Sequence, residues 1–227
     1  MKLKDVLLII GVCAMFSAYS QEEEGLKEGR MMLHLGVGSQ NFSELNSALT
    51  TNGYPELNDI GGDWGFSLWI SKERLNFLYD LGAHSRKAGS GNTTNYEAGD
   101  FTMSFGYSII KGSHFSLVPY LGLGLEYGQL ELVVNEDPAV TTVAGYISDV
   151  PRSQKMDMWG LLGSTGVYAI YDFSSKAEDS RFSLGIHGGY TPRLTKQQWR
   201  SAGDQKLDGL SIPGGVSVQL VVGVAFL

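Results

Sequence analysis

The sequence predicts an all-β fold: an eight-stranded antiparallel up-and-down barrel that crosses a membrane with its strands, with short turns on one rim and long loops on the other. Three observations lead there. Successive segments alternate with a period of two residues, the links between them alternate in length, and the face opposite the apolar one is too small and too weakly charged to meet water. With 30 glycines, 11 tyrosines, 10 phenylalanines and only 6 prolines, the composition suits strands and turns rather than helices.

The chain opens with MKLKDVLLIIGVCAMFSAYSQ, in which Lys2 and Lys4 precede an uncharged, mainly apolar run from Val6 to Tyr19 with small residues Ala18 and Ser20 behind it. This reads as a cleaved signal peptide over 1–20, cut between Ser20 and Gln21. The run falls short of the roughly 17 to 25 residues that a spanning helix needs. Residues 21–29 read as a short acidic tail, and 30–227 as the barrel domain. Cys13 is the single cysteine, so the exported chain carries none, which excludes disulfides, thiolate catalysis and cysteine metal sites. A net charge of -7 without a basic block gives no reason to expect nucleic acid as a partner.

Each expected strand is justified by its alternation. Arg30 to Ser39 sets Leu33, Leu35 and Val37 against His34, Gly36 and Gly38, and Gly62 to Lys72 sets Trp64, Phe66, Leu68 and Ile70 against Gly65, Ser67, Trp69 and Ser71. Asn76 to Arg86 sets Phe77, Tyr79, Leu81 and Ala83 against Leu78, Asp80, Gly82 and His84; Tyr96 to Ile110 sets Phe101, Met103, Phe105 and Tyr107 against Thr102, Ser104 and Gly106. Phe115 to Leu132 carries Leu121, Leu123, Leu125 and Tyr127 opposite Tyr120, Gly122, Gly124, Glu126 and Gly128. Asp157 to Phe173 places Trp159, Leu161, Val167 and Tyr171 on one face. Arg181 to Arg193 gives Phe182, Leu184, Ile186 and Tyr190 against Ser183, Gly185, His187 and Gly189, and the tail from Gly214 to Leu227 closes the set.

Short links join strands two and three, four and five (Lys111 to His114), and six and seven (Ser174 to Ser180). Longer ones run from Gln40 to Gly61, Lys87 to Asn95, Val133 to Lys155 and Leu194 to Pro213. Period two alone does not say which face is outside. A face of Gly, Ser and Thr could not give a soluble barrel its charged exterior, but it fits a narrow lumen, so the apolar face meets lipid and closure pairs strand eight with strand one. Aromatic residues gather at both ends of that face: Phe77, Tyr79, Tyr107, Phe115, Tyr171, Phe182 and Phe226 near the short turns, and Trp64, Tyr127, Trp159 and Tyr190 near the long loops. These form two membrane-interface girdles.

The signal peptide, the eight alternating segments, the alternating links and the tail VSVQLVVGVAFL together resemble the small, porin-like eight-stranded outer-membrane β-barrel proteins of Gram-negative bacteria. The likeness covers the whole exported chain. It implies an outer-membrane location in the cell envelope, contact with outer-membrane lipid, and recognition of the last strand by the barrel-assembly machinery. In that family the last strand ends in an aromatic residue; here Leu227 follows Phe226.

The inward polar residues are His34, Asp80, His84, Arg86, Asp100, Glu126, His187 and Arg193, with Arg86 and Asp100 expected at facing ends of neighbouring strands. They read as a lumen network of mutually paired charges, because an unpaired buried charge costs several kcal/mol. No catalytic nucleophile, metal-ligand set or cofactor motif is expected among them. His114, in a short turn, is expected only to be solvated. The Gly62, Asp63, Trp64 stretch matches the G-x-W of lipocalins but not its place in that fold, and the loop pairs Glu136, Asp137 and Asn58, Asp59 lack the spacing of a calcium loop. The resulting expectation is a non-enzymatic integral barrel whose long loops bind a surface ligand or an envelope protein. The alternatives are a small pore, a lipid-modifying enzyme, and a soluble lipocalin-like binder.

Overall fold

The structure, a computed structural model, describes residues 28–134, 153–173, 180–207 and 209–226. The expected signal peptide, almost all of the acidic tail, Glu136 and Asp137 lie outside these. Eight long strands form the wall: β1 (Glu28–Ser39), β2 (Ile60–Lys72), β3 (Leu75–Ala88), β4 (Thr93–Tyr107), β6 (Phe115–Val133), β7 (Ser153–Phe173), β8 (Ser180–Thr191) and β11 (Gly215–Phe226). Short strands β5 (Ile110–Lys111), β9 (Gln198–Ser201) and β10 (Lys206–Leu207) lie outside the ring. Every neighbouring pair is antiparallel, and β11 closes on β1 from Gly29↔Phe226 to Ser39↔Val216. Each wall strand thus has two partners, and no open edge is left in the apolar zone.

The stagger follows from the register. Counted from Leu35 through Trp64, Ala83, Gly99 and Tyr127, the row reaches β7 at Trp159. Counted the other way through Leu220 and Ile186, it reaches β7 at Ala169, ten residues further on. Eight strands with a shear of ten tilt by roughly 41° from the barrel axis, inside the usual range, and enclose a lumen that side chains fill.

The apolar faces point outward. Leu35, Trp64, Met103, Leu121, Leu123, Ile186, Val218 and Leu220 are all exposed, from 50% to 69% of their surface. On β6 this belt runs from Phe115 to Tyr127, about 30 Å along the axis at that tilt, which matches the hydrocarbon core of a bilayer. Among the described residues no helix is long and apolar enough to span it.

One expectation about the loops needs correction. The Lys87 to Asn95 link is not long: β3 and β4 stay paired as far as Ala88↔Thr94, leaving only residues 89–92 between them. The Gln40 to Gly61 link is long, and it contains a helix, α1 (Ser43–Thr51). Phe42, Leu45 and Leu49 recur at helical spacing and are fully or nearly fully buried. The helix stops in a Schellman turn: Gly53 takes φ 80°, its N–H donates to the Thr50 carbonyl (3.1 Å), and the Tyr54 N–H donates to that of Leu49 (2.9 Å).

Above the belt the strands keep their pairing but reverse their faces. On β6, Gln129 and Glu131 follow Tyr127 on the outside, while Leu130 and Leu132 turn inward and are buried. On β7, Asp157 and Lys155 face out as Met156 and Met158 face in. The inward residues pack against α1, Tyr96, Trp199 and Ile212 into an apolar core above the membrane. β9 completes it by pairing with β7 through Trp199↔Met158.

Candidate functional site

The barrel interior is built in layers, stacked from the turn rim upward. At the turn rim the Arg30 guanidinium donates two hydrogen bonds of 2.8 Å to Asp172 and also pairs with Glu28, while Ser183 Oγ donates to Asp172 Oδ1 at 2.7 Å. Arg30 and Asp172 are nearly fully buried, so the bidentate geometry and the extra donor are what make the charges tolerable. Above them lies a dry layer of Met32, Trp69, Leu78, Val118, Tyr168 and Ile170, each no more than 1% exposed. Trp69 meets Tyr168 edge to face at 4.7 Å. This layer lies across the lumen.

A hydrogen-bonded chain crosses the barrel next. Ser67 Oγ donates to Asp80 and lies 2.6 Å from His34 Nε2; Asp80 also accepts from Tyr168 OH at 3.1 Å. Gln219 Oε1 lies 3.1 Å from His34 Nδ1 and 2.9 Å from His187 Nδ1, and the latter contact puts the His187 proton on Nδ1. His187 Nε2 is then free to accept from Tyr120 OH at 2.7 Å. Although Ser, His and Asp meet here, the order is not that of a hydrolase: Ser67 sits between the other two, and Asp80 orients no imidazole. The adjoining cavity of about 100 Å³ is lined by groups of this chain, among them His34, Ser67, Asp80 and His187.

The top layer sits under the loops. Arg193 forms a bidentate pair with Glu126, Gln197 Nε2 donates to Glu126 at 3.4 Å, and His84 Nε2 lies 3.9 Å from the same carboxylate. Gln40 Nε2 lies 3.1 Å from His84 Nε2. Arg86 does not face Asp100 as expected. The register sets Arg86 opposite Tyr96 and Asp100 opposite Gly82, and Arg86 pairs instead with Asp63 at 3.3 Å and the Gly38 carbonyl at 3.1 Å. Asp100 lines the cavity without a hydrogen-bond partner among the described residues. Arg193 lies beyond the end of β8, held by one bridge to Leu162, and folds back over the lumen.

Every aromatic residue assigned to the girdles points outward. Trp64, Phe77, Tyr107, Phe115, Tyr127, Trp159, Tyr171, Phe182, Tyr190 and Phe226 expose 36% to 61% of their surface, and Tyr79 is half-buried among its neighbours. Phe77 meets Phe105 edge to face at 5.3 Å, and Phe173 links Tyr171 (5.0 Å) to Phe182 (5.7 Å). Fixed at both ends by rings that favour the headgroup level, the belt has one stable depth. By architecture the chain is a closed eight-stranded antiparallel β-barrel with an apolar outer belt.

No family model matches the chain, and no curated protein matches it. Solved structures similar to it include Neisserial surface protein A (15% identity, TM-score 0.42, covering 89% of this chain and 99% of that one). Others are a major outer membrane protein from Thermus thermophilus (13% identity, TM-score 0.49, 87% and 98%) and the attachment invasion locus protein Ail of Yersinia pestis (12% identity, TM-score 0.43, 90% and 100%).

The sequence reading missed Arg30 and Asp172, which belong to the interior but stand at strand ends. Their parity was available: Arg30 lies two residues before Met32 and four before His34, and Asp172 two after Ile170. It also undervalued His114, whose Nδ1 lies 3.0 Å from the Asp172 carbonyl and whose ring stacks on Tyr171 at 5.9 Å.

Proposed function

We propose that the protein is a non-enzymatic integral barrel of the outer membrane that presents its loop cap to the exterior, where the cap binds a surface ligand or another envelope protein. The observation that supports this most is the distribution of order. A layer of fully buried side chains lies across the lumen, and the described loop residues pack into a second buried cluster on the strands that rise above the belt. Backbone and side chain both contribute to that body: Asn46 exchanges two hydrogen bonds with the Leu57 backbone (2.9 and 3.0 Å), and Thr94 Oγ1 donates to the Pro55 carbonyl at 2.9 Å. Function on a rigid scaffold is commonly carried by such loops.

On this reading the short turns face the periplasm, the C-terminal strand is the segment handed to the barrel-assembly machinery, and a signal peptide is removed between Ser20 and Gln21. The test is to excise Val133–Lys155 and Leu194–Pro213 separately, confirm by heat-modifiable gel migration that the barrel still folds, and score adhesion and complex formation. Loss of one of these is expected; full retention of both after both deletions would end the surface-binding reading. Planar-bilayer recordings of the folded protein are expected to show no conductance step, and lipid A spectra are expected to be unchanged by His187→Ala.

A further inference from the structure

The cap encloses a second and larger cavity, of about 530 Å³. One wall is α1, through Leu45 and Leu49; the opposite wall is the inward face of the rising strands, through Leu130 and Leu132; Trp199 forms part of the floor. These five are buried, while Asn52 and Gln154 at the lip are exposed, so the cavity deepens from a polar rim to a dry base. Among the described residues no charged side chain lines it. The Trp199 indole N–H is already taken by the Leu210 carbonyl at 2.9 Å, which leaves the floor without a free donor.

We propose that this cavity is a binding site for a small uncharged hydrocarbon that enters from the aqueous side. The volume falls in the range of small-molecule sites, and the nearly wholly apolar lining with a polar lip is their usual chemistry. Two features select the ligand class. Among the described residues the lining holds no cation, so a carboxylate or phosphate group drawn into the apolar base would be desolvated without a partner, whereas an uncharged hydrocarbon loses nothing there. Position argues the same way: Leu130 and Met156 lie three residues beyond the Tyr127–Trp159 pair at the top of the belt, and both face the axis, so the cavity opens above the bilayer and away from it. The proposal rests on the reading of the cap as a binding body and specifies what one part of it takes.

The test uses the full exported chain folded in phosphatidylcholine nanodiscs and a diazirine-bearing octane, with adducts mapped by peptide mass spectrometry. Saturable labelling of α1 and of the Lys206 to Leu210 stretch is expected, competed by plain octane. Ala48→Trp, which puts an indole into the cavity from α1, is expected to reduce it about tenfold. Leu207→Trp fills the space from the opposite wall and serves if the first variant fails the heat-modifiability check.

Adducts confined to the belt, on strands such as that of Leu121 and Leu123, would overturn the proposal. Equal labelling of α1 by a diazirine-bearing phosphatidylcholine in the disc would assign the cavity to membrane lipid instead. Labelling seen only after removal of 135–152 would mean that the chain's own segment takes the space. Octane capture by a protein whose loop deletions leave adhesion and complex formation intact would sink the surface-binding reading while sparing the cavity, so the two can fail separately.

Discussion

The lower and upper stretches of β6 are one continuous strand with opposite rules. From Phe115 to Tyr127 the outward positions are mostly apolar, and Val118, Tyr120, Gly122, Gly124 and Glu126 point in; from Gly128 to Val133 the outward positions are Gln129, Glu131 and Val133, and Leu130 and Leu132 point in. Its partner β7 reverses at the same height, where Trp159 gives way to Asp157 and Lys155. Outside, Gln129 Nε2 donates to Asp157 at 2.9 Å and Lys155 pairs with Glu131 at 3.1 Å, both across the same pair of strands. Backbone pairing is indifferent to the change. What the contrast teaches is that side-chain polarity follows the solvent, and that the point of reversal marks the membrane surface to within about two residues.

The contrast can be broken from the inside first. Within the belt the buried charges of the interior need partners, so Arg30→Ala, which strands Asp172 as a buried charge, is expected to cost about 3–5 kcal/mol in urea unfolding of the vesicle-inserted barrel. The double change Arg30→Met with Asp172→Leu should return most of it. Above the belt the interior is an ordinary apolar core, and Leu130→Ala is expected to cost about 2–5 kcal/mol of cap stability, read as faster amide exchange in α1 with the barrel amides unchanged.

On the outer surface the same strand supplies its own control. Leu123→Arg, at mid-belt, should destabilise by about 2–4 kcal/mol, whereas Gln129→Arg, past the reversal, should cost under about 1 kcal/mol in the same assay. If the two substitutions cost the same, Tyr127 is not the boundary. The smallest effect sharpens the picture of the cap alone: Gly53→Ala, at φ 80°, should cost about 1 kcal/mol and show only as fraying of the last turn of α1 in exchange.

The belt was readable because each of its strands obeys one rule over its whole membrane-crossing length, and a period of two sustained eight times leaves little else possible. Where the rule changes, the sequence is harder to read. Leu130 and Leu132 continue the inward parity of Glu126, so a reading that expects small or polar residues inside treats them as the frayed end of a strand rather than as the wall of a second core. α1 shows only Phe42, Leu45 and Leu49 at helical spacing, three positions in a stretch otherwise polar, and its packing partner Trp199 lies 150 residues away. The lumen charges were identifiable by parity, but their pairing was not. Arg86 chooses Asp63 over Asp100 because of register and stagger, which are properties of the closed ring.

The seam between β1 and β11 has a consequence in time. Where wall strands adjoin in sequence they can form as hairpins, but Gly29 meets Phe226 across nearly the whole chain, so this pairing carries the largest loop-closure cost in the fold. Closure must therefore wait until the last strand has been delivered. A chain lacking Gly215 to Phe226 should insert its earlier hairpins and stall as an open sheet, with the unpaired backbone of β1 and β8 exposed to capture by another chain.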